Sequence, residues 1–191
     1  MDFTTLTTTD IILIVAIFAV IGAVIAAFSL SRKRRTKRLQ TQFGSAEYTR
    51  AVEADGGRRH AEAKLEQRAE RVEKLHVQPL SPGDRARFAE SWNRVQSHFV
   101  DGPAGAVTEA DQLLADVMST RGYPVSDFEQ RAADISVDHP LVLANYRTAH
   151  GIAIRQSRGQ ATTEDLRQAM VHYRTLFEEL VNESNMPLTR A

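Results

Sequence analysis

The sequence predicts an all-α protein: a single N-terminal transmembrane helix followed by a small antiparallel helical bundle. Three observations carry this reading. Residues 11–30 form an uncharged apolar run. From residue 79 onward, apolar side chains recur at helical spacing between capping residues and Gly/Pro breakers. No stretch of four or more residues reads as an isolated strand.

The first element is the anchor, placed at residues 11–31. No charge interrupts the chain between Asp10 and Arg32, and 21 residues at about 1.5 Å each match a hydrocarbon core of roughly 30 Å. Thirteen of the twenty residues 11–30 are Ile, Leu, Val or Phe, which together favour insertion by on the order of 4 to 8 kcal/mol as an upper bound. A cleaved signal peptide would need a basic n-region and a small-residue cleavage site. Here Asp2 and Asp10 precede the run, and Phe28-Ser29-Leu30 and a basic block end it. Ala19, Ala23 and Ala27 recur every four residues beside Gly22 and Ala26, a spacing that allows close approach of a second membrane helix.

Six of the eight residues 31–38 are basic: Arg32, Lys33, Arg34, Arg35, Lys37 and Arg38. The positive-inside rule puts this side in the cytoplasm and the short segment 1–10 outside. The net charge of zero conceals an asymmetry, since residues 32–78 carry thirteen basic and seven acidic side chains, whereas 79–191 carry eleven and fifteen. The basic flank is expected to lie against anionic lipid headgroups, at about 1 kcal/mol per side chain near the surface. Nucleic-acid binding is the other use of such a run, but a stop-transfer role accounts for the cluster, and the acidic balance downstream opposes it.

Residues 32–57 read as a basic juxtamembrane segment and linker, irregular in pattern and ending in Asp55-Gly56-Gly57, with a short helix around 46–54. Residues 58–78 read as a polar helix or short coiled coil. Ala61, Leu65, Ala69 and Val72 form its narrow stripe, and Glu62, Glu66, Glu70 and Arg71 lie outside it. The helical domain spans 79–183 and a tail 184–191.

Within the domain, Ser81-Pro82-Gly83-Asp84 is a helix start, with Ser as N-cap and Pro at N1. Its helix runs to about 100, with Phe88, Trp92, Val95 and Phe99 on one face. A second helix covers about 104–120, with Val107, Ala110, Leu113, Leu114 and Val117 inward, and Arg121-Gly122-Tyr123-Pro124 stops it. Ser126-Asp-Phe-Glu129 is a capping box opening a short helix. Asp138 is the expected cap of the next helix, with Pro140 in its first turn and Leu141, Asn145, Ala149 and Ile152 along one side. Thr162-Thr-Glu-Asp165 caps the last helix, whose face is Leu166, Met170, Tyr173, Phe177 and Leu180. A segment of about 100 residues supports one modest core.

The chain has no Cys, which excludes disulfides, thiolate chemistry and Cys-ligated metals. The histidines are scattered at 60, 76, 98, 139, 150 and 172, and none forms the His/Glu pair of a zinc protease. A site gathering His98, His139, His150 and His172 is the one enzymatic arrangement the sequence suggests. Asp134, Asp138, Glu164 and Asp165 read as helix caps before they read as acid–base pairs. Ser126 and Ser136 lack a nucleophile elbow, and no Gly-rich loop precedes a Lys. No catalytic, cofactor or metal residue is therefore assigned.

The segments 92–103, 121–129 and 136–140, with Tyr146-Arg-Thr-Ala-His150 and residues 163–174, resemble a group of short bacterial membrane proteins with one N-terminal anchor, a basic flank and a helical domain. The resemblance brings no catalytic residues and implies a bacterial inner-membrane location. The expected function is a membrane-anchored, non-enzymatic interaction or scaffold protein with a protein partner or self-association. The alternatives are a small tethered enzyme with a histidine/carboxylate site and a regulator touching nucleic acid through residues 32–38.

Overall fold

Among the described side chains, the apolar residues of 16–30 are exposed and dominate one end of the molecule. The computed structural model describes residues 8–124 and 126–182, so most of the 1–10 segment and the tail 184–191 lie outside the described residues. Helix α1 (Thr8–Ala54) carries the span, and every described side chain from 16 to 35 is exposed, Phe18 by 69% and Val24 by 62%. An apolar helix that buries nothing in its own protein is suited to lipid. The transmembrane helix and the all-helical domain that follows are thus both present, and no strand occurs among the described residues.

The juxtamembrane segment differs from the expected linker. Residues 32–43 continue the membrane helix without a break, and residues 45–54 are helical again after a sharp reversal at Gly44 (φ 75°, ψ 155°). The reversal is plain from one carboxylate: Glu62 Oε1 accepts from both Thr36 Oγ1 (2.6 Å) and Tyr48 Oη (2.8 Å). On a continuous helix those two residues would lie about 18 Å apart. Helix α2 (Arg58–Glu73) then packs beside the first arm. Arg35 pairs with Glu66 and Thr36 with Glu62, while Arg68 reaches Glu47 at 3.0 Å near the turn. Residues 58–63 face 28–40 and residues 66–73 face 34–42, so α2 runs parallel to residues 32–43.

Leu39, Phe43, Tyr48, Ala51, Ala61 and Leu65 form a separate small core inside this hairpin. The stripe on α2 is therefore buried within the chain rather than left for a coiled-coil partner. Glu62, expected outside the stripe, is buried because Thr36 and Tyr48 satisfy it.

The remaining elements are α3 (Pro82–Asp101), α4 (Pro103–Arg121), α5 (Phe128–Asp138), α6 (Pro140–Ser157) and α7 (Thr163–Asn182). Helices α3, α4, α6 and α7 form the bundle, and α5 sits between it and the hairpin. The core joins Phe88, Trp92, Val107, Leu114, Val117, Tyr146, Tyr173, Phe177 and their neighbours, with the Trp92 and Phe177 rings stacked at 4.8 Å. The expected faces of α4 and α7 are buried throughout. On α6 Ala149 and Ile152 are buried as expected and Asn145 is half-buried, but Leu141 is 89% exposed and Val142, Leu143 and Tyr146 point inward.

Caps follow the local sequence with two shifts. Ser81 Oγ accepts from Asp84 N at 3.0 Å, and Thr162 and Asp165 cap each other reciprocally. At α5 the cap is Asp127 rather than Ser126, its Oδ1 accepting from Gln130 N at 2.9 Å. At α6 the N-cap position is His139, since Asp138 completes α5 and accepts from Tyr123 Oη at 3.0 Å.

The hairpin docks on the bundle mainly through charge. Glu47 accepts from Arg68 at 3.0 Å and from Arg147 of α6 at 3.1 Å. Arg71 grips Asp134 of α5 with Nε at 3.0 Å and Nη2 at 2.5 Å. Val137 closes the contact on the hairpin core. What the sequence presents as a tether is a docked structural unit.

Candidate functional site

The six cations of the flank are exposed, but they are held in helix rather than on an irregular coil. They stand on consecutive helical turns directly after the span, and the hairpin brings a second basic element beside them. Four residues separate Thr36 from Arg32, and three or four separate Glu62 from Arg59 and Arg58. With Thr36 bonded to Glu62, the start of α2 therefore stands about 5 to 6 Å nearer the membrane, level with Arg32 and Lys33. A cleft of about 1140 Å³ lies between the two helices, lined by Arg32, Lys33, Arg35, Lys37, Arg58 and Arg59, with Phe28 and Ser31 of the span at its edge.

Among the described residues the one carboxylate lining this cleft is Glu62, and its Oε1 is engaged by Thr36 and Tyr48. Burial and the Glu62 carboxylate hold the Tyr48 phenol above its ordinary pKa, so it remains a donor. Arg35 is paired with Glu66. Arg32 lies over the Phe28 ring at 4.2 Å, a cation–π contact at the membrane boundary. The first turn of α2 has no acidic residue and no side-chain cap, since Gly57 occupies the cap position. Its positive end thus adds to the field of the cleft.

A second polar cluster lies inside the bundle. Asp111 of α4 accepts from Tyr173 Oη at 3.1 Å and from Arg131 Nη2 at 3.4 Å. Arg131 Nε donates to Tyr146 Oη at 2.9 Å, and its Nη1 to the Ser126 carbonyl at 3.0 Å. Burial pushes the Tyr146 phenol up to about 12, and burial with the Asp111 carboxylate pushes Tyr173 higher still, so both hydroxyls stay protonated. His150 stacks on Phe128 with centroids 3.5 Å apart, its Nδ1 3.9 Å from Asp111 Oδ1. These groups join α4, α5, α6 and α7: Asp111, Arg131, Tyr146 and Tyr173 satisfy one another, whereas the His150 Nδ1 atom makes no hydrogen bond.

Burial is the largest influence on His150 and lowers its pKa, with Arg131 acting in the same direction and Asp111 and Glu129 opposing. A histidine whose folded-state pKa is depressed binds its proton more readily when unfolded. Its contribution is therefore complete above the unfolded value near 6.5 and is lost as pH falls through that value toward the folded one. Thermal unfolding in detergent is expected to show a larger drop in stability between pH 7 and pH 5 for the native chain than for His150→Gln. Parallel slopes would contradict this.

The four histidines do not converge. His98 pairs with Glu109 at 2.9 Å on the surface, His139 is buried against Glu179 at 3.3 Å, His150 stacks on Phe128, and His172 meets Asn145 Oδ1 at 2.9 Å. Among the described residues no group of three or more His, Cys, Asp or Glu is placed to hold a metal. Asp134 serves Arg71, Asp138 serves Tyr123, Glu164 pairs with Arg167, and Asp165 caps α7. Ser136 Oγ donates to the Ala133 carbonyl at 2.6 Å. Phe88 and Trp92 are buried, and Phe99 packs against the core.

Arg58 and Arg59 are the residues sequence reasoning did not place beside the flank. The signal was two arginines in a helix's first turn, where acids are normal, but their partner helix depends on the reversal at Gly44. Comparison of the chain with protein-family models, curated proteins and solved structures gives no match. The resemblance to short membrane proteins thus rests on the architecture: one apolar N-terminal helix and a small all-helical domain.

Proposed function

We propose that this protein is a single-pass membrane anchor holding a non-enzymatic helical interaction domain at the cytoplasmic face, with its N-terminal end outside. The observation that carries the reading is the direct continuation of an exposed, uncharged span into a basic hairpin that is docked on the bundle. The chain invests Glu47, Arg147, Arg71 and Asp134 in fixing the domain against its anchor, which suits a protein that presents a surface at a defined height above the bilayer.

The enzymatic alternative has lost the site that motivated it, because each histidine is engaged separately. The nucleic-acid alternative is disfavoured by position: Arg32 to Arg38 occupy the first two turns beyond the span, where headgroups compete for them. The partner of the domain is a protein or a second copy of this chain.

The absence of cysteine makes the test direct. Ser119 and Ser157 are exposed on the bundle, so Ser119→Cys and Ser157→Cys report its side of the membrane. A membrane-impermeant maleimide is expected to label them only after the membrane is opened; labelling in intact cells would overturn the orientation. The same cysteines, carrying a photo-crosslinker in native membranes, are expected to give one discrete adduct, either with a partner or with a second copy. Absence of any discrete adduct from several surface positions would overturn the interaction reading.

A further inference from the structure

We propose that the cleft between the juxtamembrane part of α1 and the start of α2 is a binding site for an inner-leaflet phospholipid whose headgroup carries at least two negative charges. This rests on the membrane orientation proposed above and deepens it, from a basic flank that brushes lipid to a built site on two helices.

Three features point to a ligand of this chemistry. The first is charge: Arg32, Lys33, Lys37, Arg58 and Arg59 line the cleft and make no ion pair among the described residues, while Arg35 is engaged by Glu66. Five such cations converging on one cleft exceed what a single phosphodiester neutralises. The second is the helix start, where three backbone N–H groups of α2 lack a side-chain cap and the dipole favours an anion. First-turn acids stand in α3 (Asp84), α5 (Glu129) and α7 (Glu164 and Asp165), whereas α2, α4 and α6 have neither an acid nor a side-chain cap there, and of these three only α2 opens on the cationic cleft.

The third feature selects lipid over a soluble phosphate. Phe28 and Ser31, which edge the cleft, belong to the membrane helix, and Leu30 is its last apolar residue. The mouth of the cleft thus opens at the hydrocarbon boundary, and its cationic depth lies within the headgroup layer, about 5 to 7 Å thick on each side. A headgroup entering there keeps its acyl chains along the exposed Val20, Val24 and Phe28 side chains. The volume of about 1140 Å³ accommodates a headgroup larger than one phosphate.

The test uses the full-length chain in nanodiscs of neutral phospholipid, doped with a singly charged or a doubly charged anionic phospholipid at equal total charge. Retained lipid is counted by native mass spectrometry, and the unfolding temperature is measured in parallel. The doubly charged lipid is expected to be retained preferentially, with weaker retention at high salt. The Arg58→Gln/Arg59→Gln double variant is expected to lose that preference by roughly tenfold or more, the usual worth of two basic side chains near an anionic surface. Both residues are exposed, so folding is preserved, and Arg87→Gln/Arg94→Gln on α3 should retain the preference.

Equal retention of both lipids, or an unchanged preference in the α2 variant, would overturn the proposal while the protein remained inserted in the nanodisc. Equal stabilisation by inorganic phosphate in a neutral bilayer would overturn the lipid source. Failure of the chain to insert at all would instead strike the membrane reading on which the proposal rests.

Discussion

Replacing Gly122 by alanine is expected to destabilise the protein by about 3 kcal/mol, lowering its unfolding temperature by roughly 10 °C. Two costs add. Gly122 ends α4 in the left-handed region at φ 102°, where its N–H meets the Met118 and Ser119 carbonyls. A side chain there costs about 1 to 2 kcal/mol. The second cost is steric and larger than usual, because a Cβ on this backbone would stand 2.6 Å from the His76 carbonyl oxygen. Backbone must move to relieve it. The segment that must move joins α2 to α3, and it is strapped down at the same place: Gln78 N donates to the Arg121 carbonyl at 2.8 Å, and Arg121 Nε returns a bond to Gln78 O at 3.3 Å. Arg121 Nη1 also donates to the Leu180 carbonyl of α7 at 3.1 Å.

Circular dichroism of the variant in detergent measures the loss, and a second substitution separates the two causes. Asn tolerates a left-handed φ far better than Ala but brings the same Cβ. If the clash dominates, Gly122→Asn is as damaging as Gly122→Ala. Full rescue by Asn would show that the close approach to His76 is relieved cheaply.

The second large effect is expected at Glu47. Its carboxylate is 7% exposed and shared by Arg68 and Arg147, whose side chains are 23% and 17% exposed. Glu47→Ala leaves two guanidinium groups facing each other in a partly dry contact. Breaking a fully buried pair costs about 3 to 5 kcal/mol, and the residual solvent access here brings the expectation to about 2 kcal/mol. Arg147 keeps Glu129 at 3.2 Å, whereas Arg68 keeps no other carboxylate. Glu47→Gln should cost less, since the amide oxygen still accepts from one arginine.

The location of the effect is more diagnostic than its size. Hydrogen exchange is expected to rise in residues 45–54 and α2, which lose their grip on α6, while α4 and α7 stay protected. A double-mutant cycle of Glu47→Ala with Arg147→Ala should show a coupling of about 1 kcal/mol or more. Uniform loosening of the whole bundle, or no coupling, would mean that apolar contact around Val137 holds the docking instead.

The bundle was legible in the sequence because its signals are local. Ser81, Asp84, Thr162 and Asp165 cap helices within four residues of themselves, and the faces of α4 and α7 follow from spacing alone. The errors on α5 and α6 are one-residue choices among adjacent capping side chains: Asp127 over Ser126, and His139 over Asp138. On α6 the buried stripe holds Ala149 and Ile152 but reaches the first turn through Val142, Leu143 and Tyr146, which leaves Leu141 on the outer side. The hairpin was not legible. Its core of Leu39, Phe43, Tyr48, Ala51, Ala61 and Leu65 comes from three short arms, none apolar enough to announce burial alone. Gly44, one glycine between Phe43 and Ser45, is the only local mark of the reversal. The cleft therefore escaped sequence reading too, because its halves lie about 25 residues apart and meet only through that turn.

The unbroken passage of α1 from the span to Leu39 has a mechanical consequence. No hinge separates the lipid-embedded helix from the first side chains that pack in the hairpin, and the hairpin is clamped to α5 and α6 by two arginine–carboxylate grips. Torsion of the buried rod about its own axis, or a shift in its tilt, is transmitted to the bundle as a swing of the whole head. A neighbour in the bilayer that merely rotates this rod would re-aim the outer surface of the head without touching it.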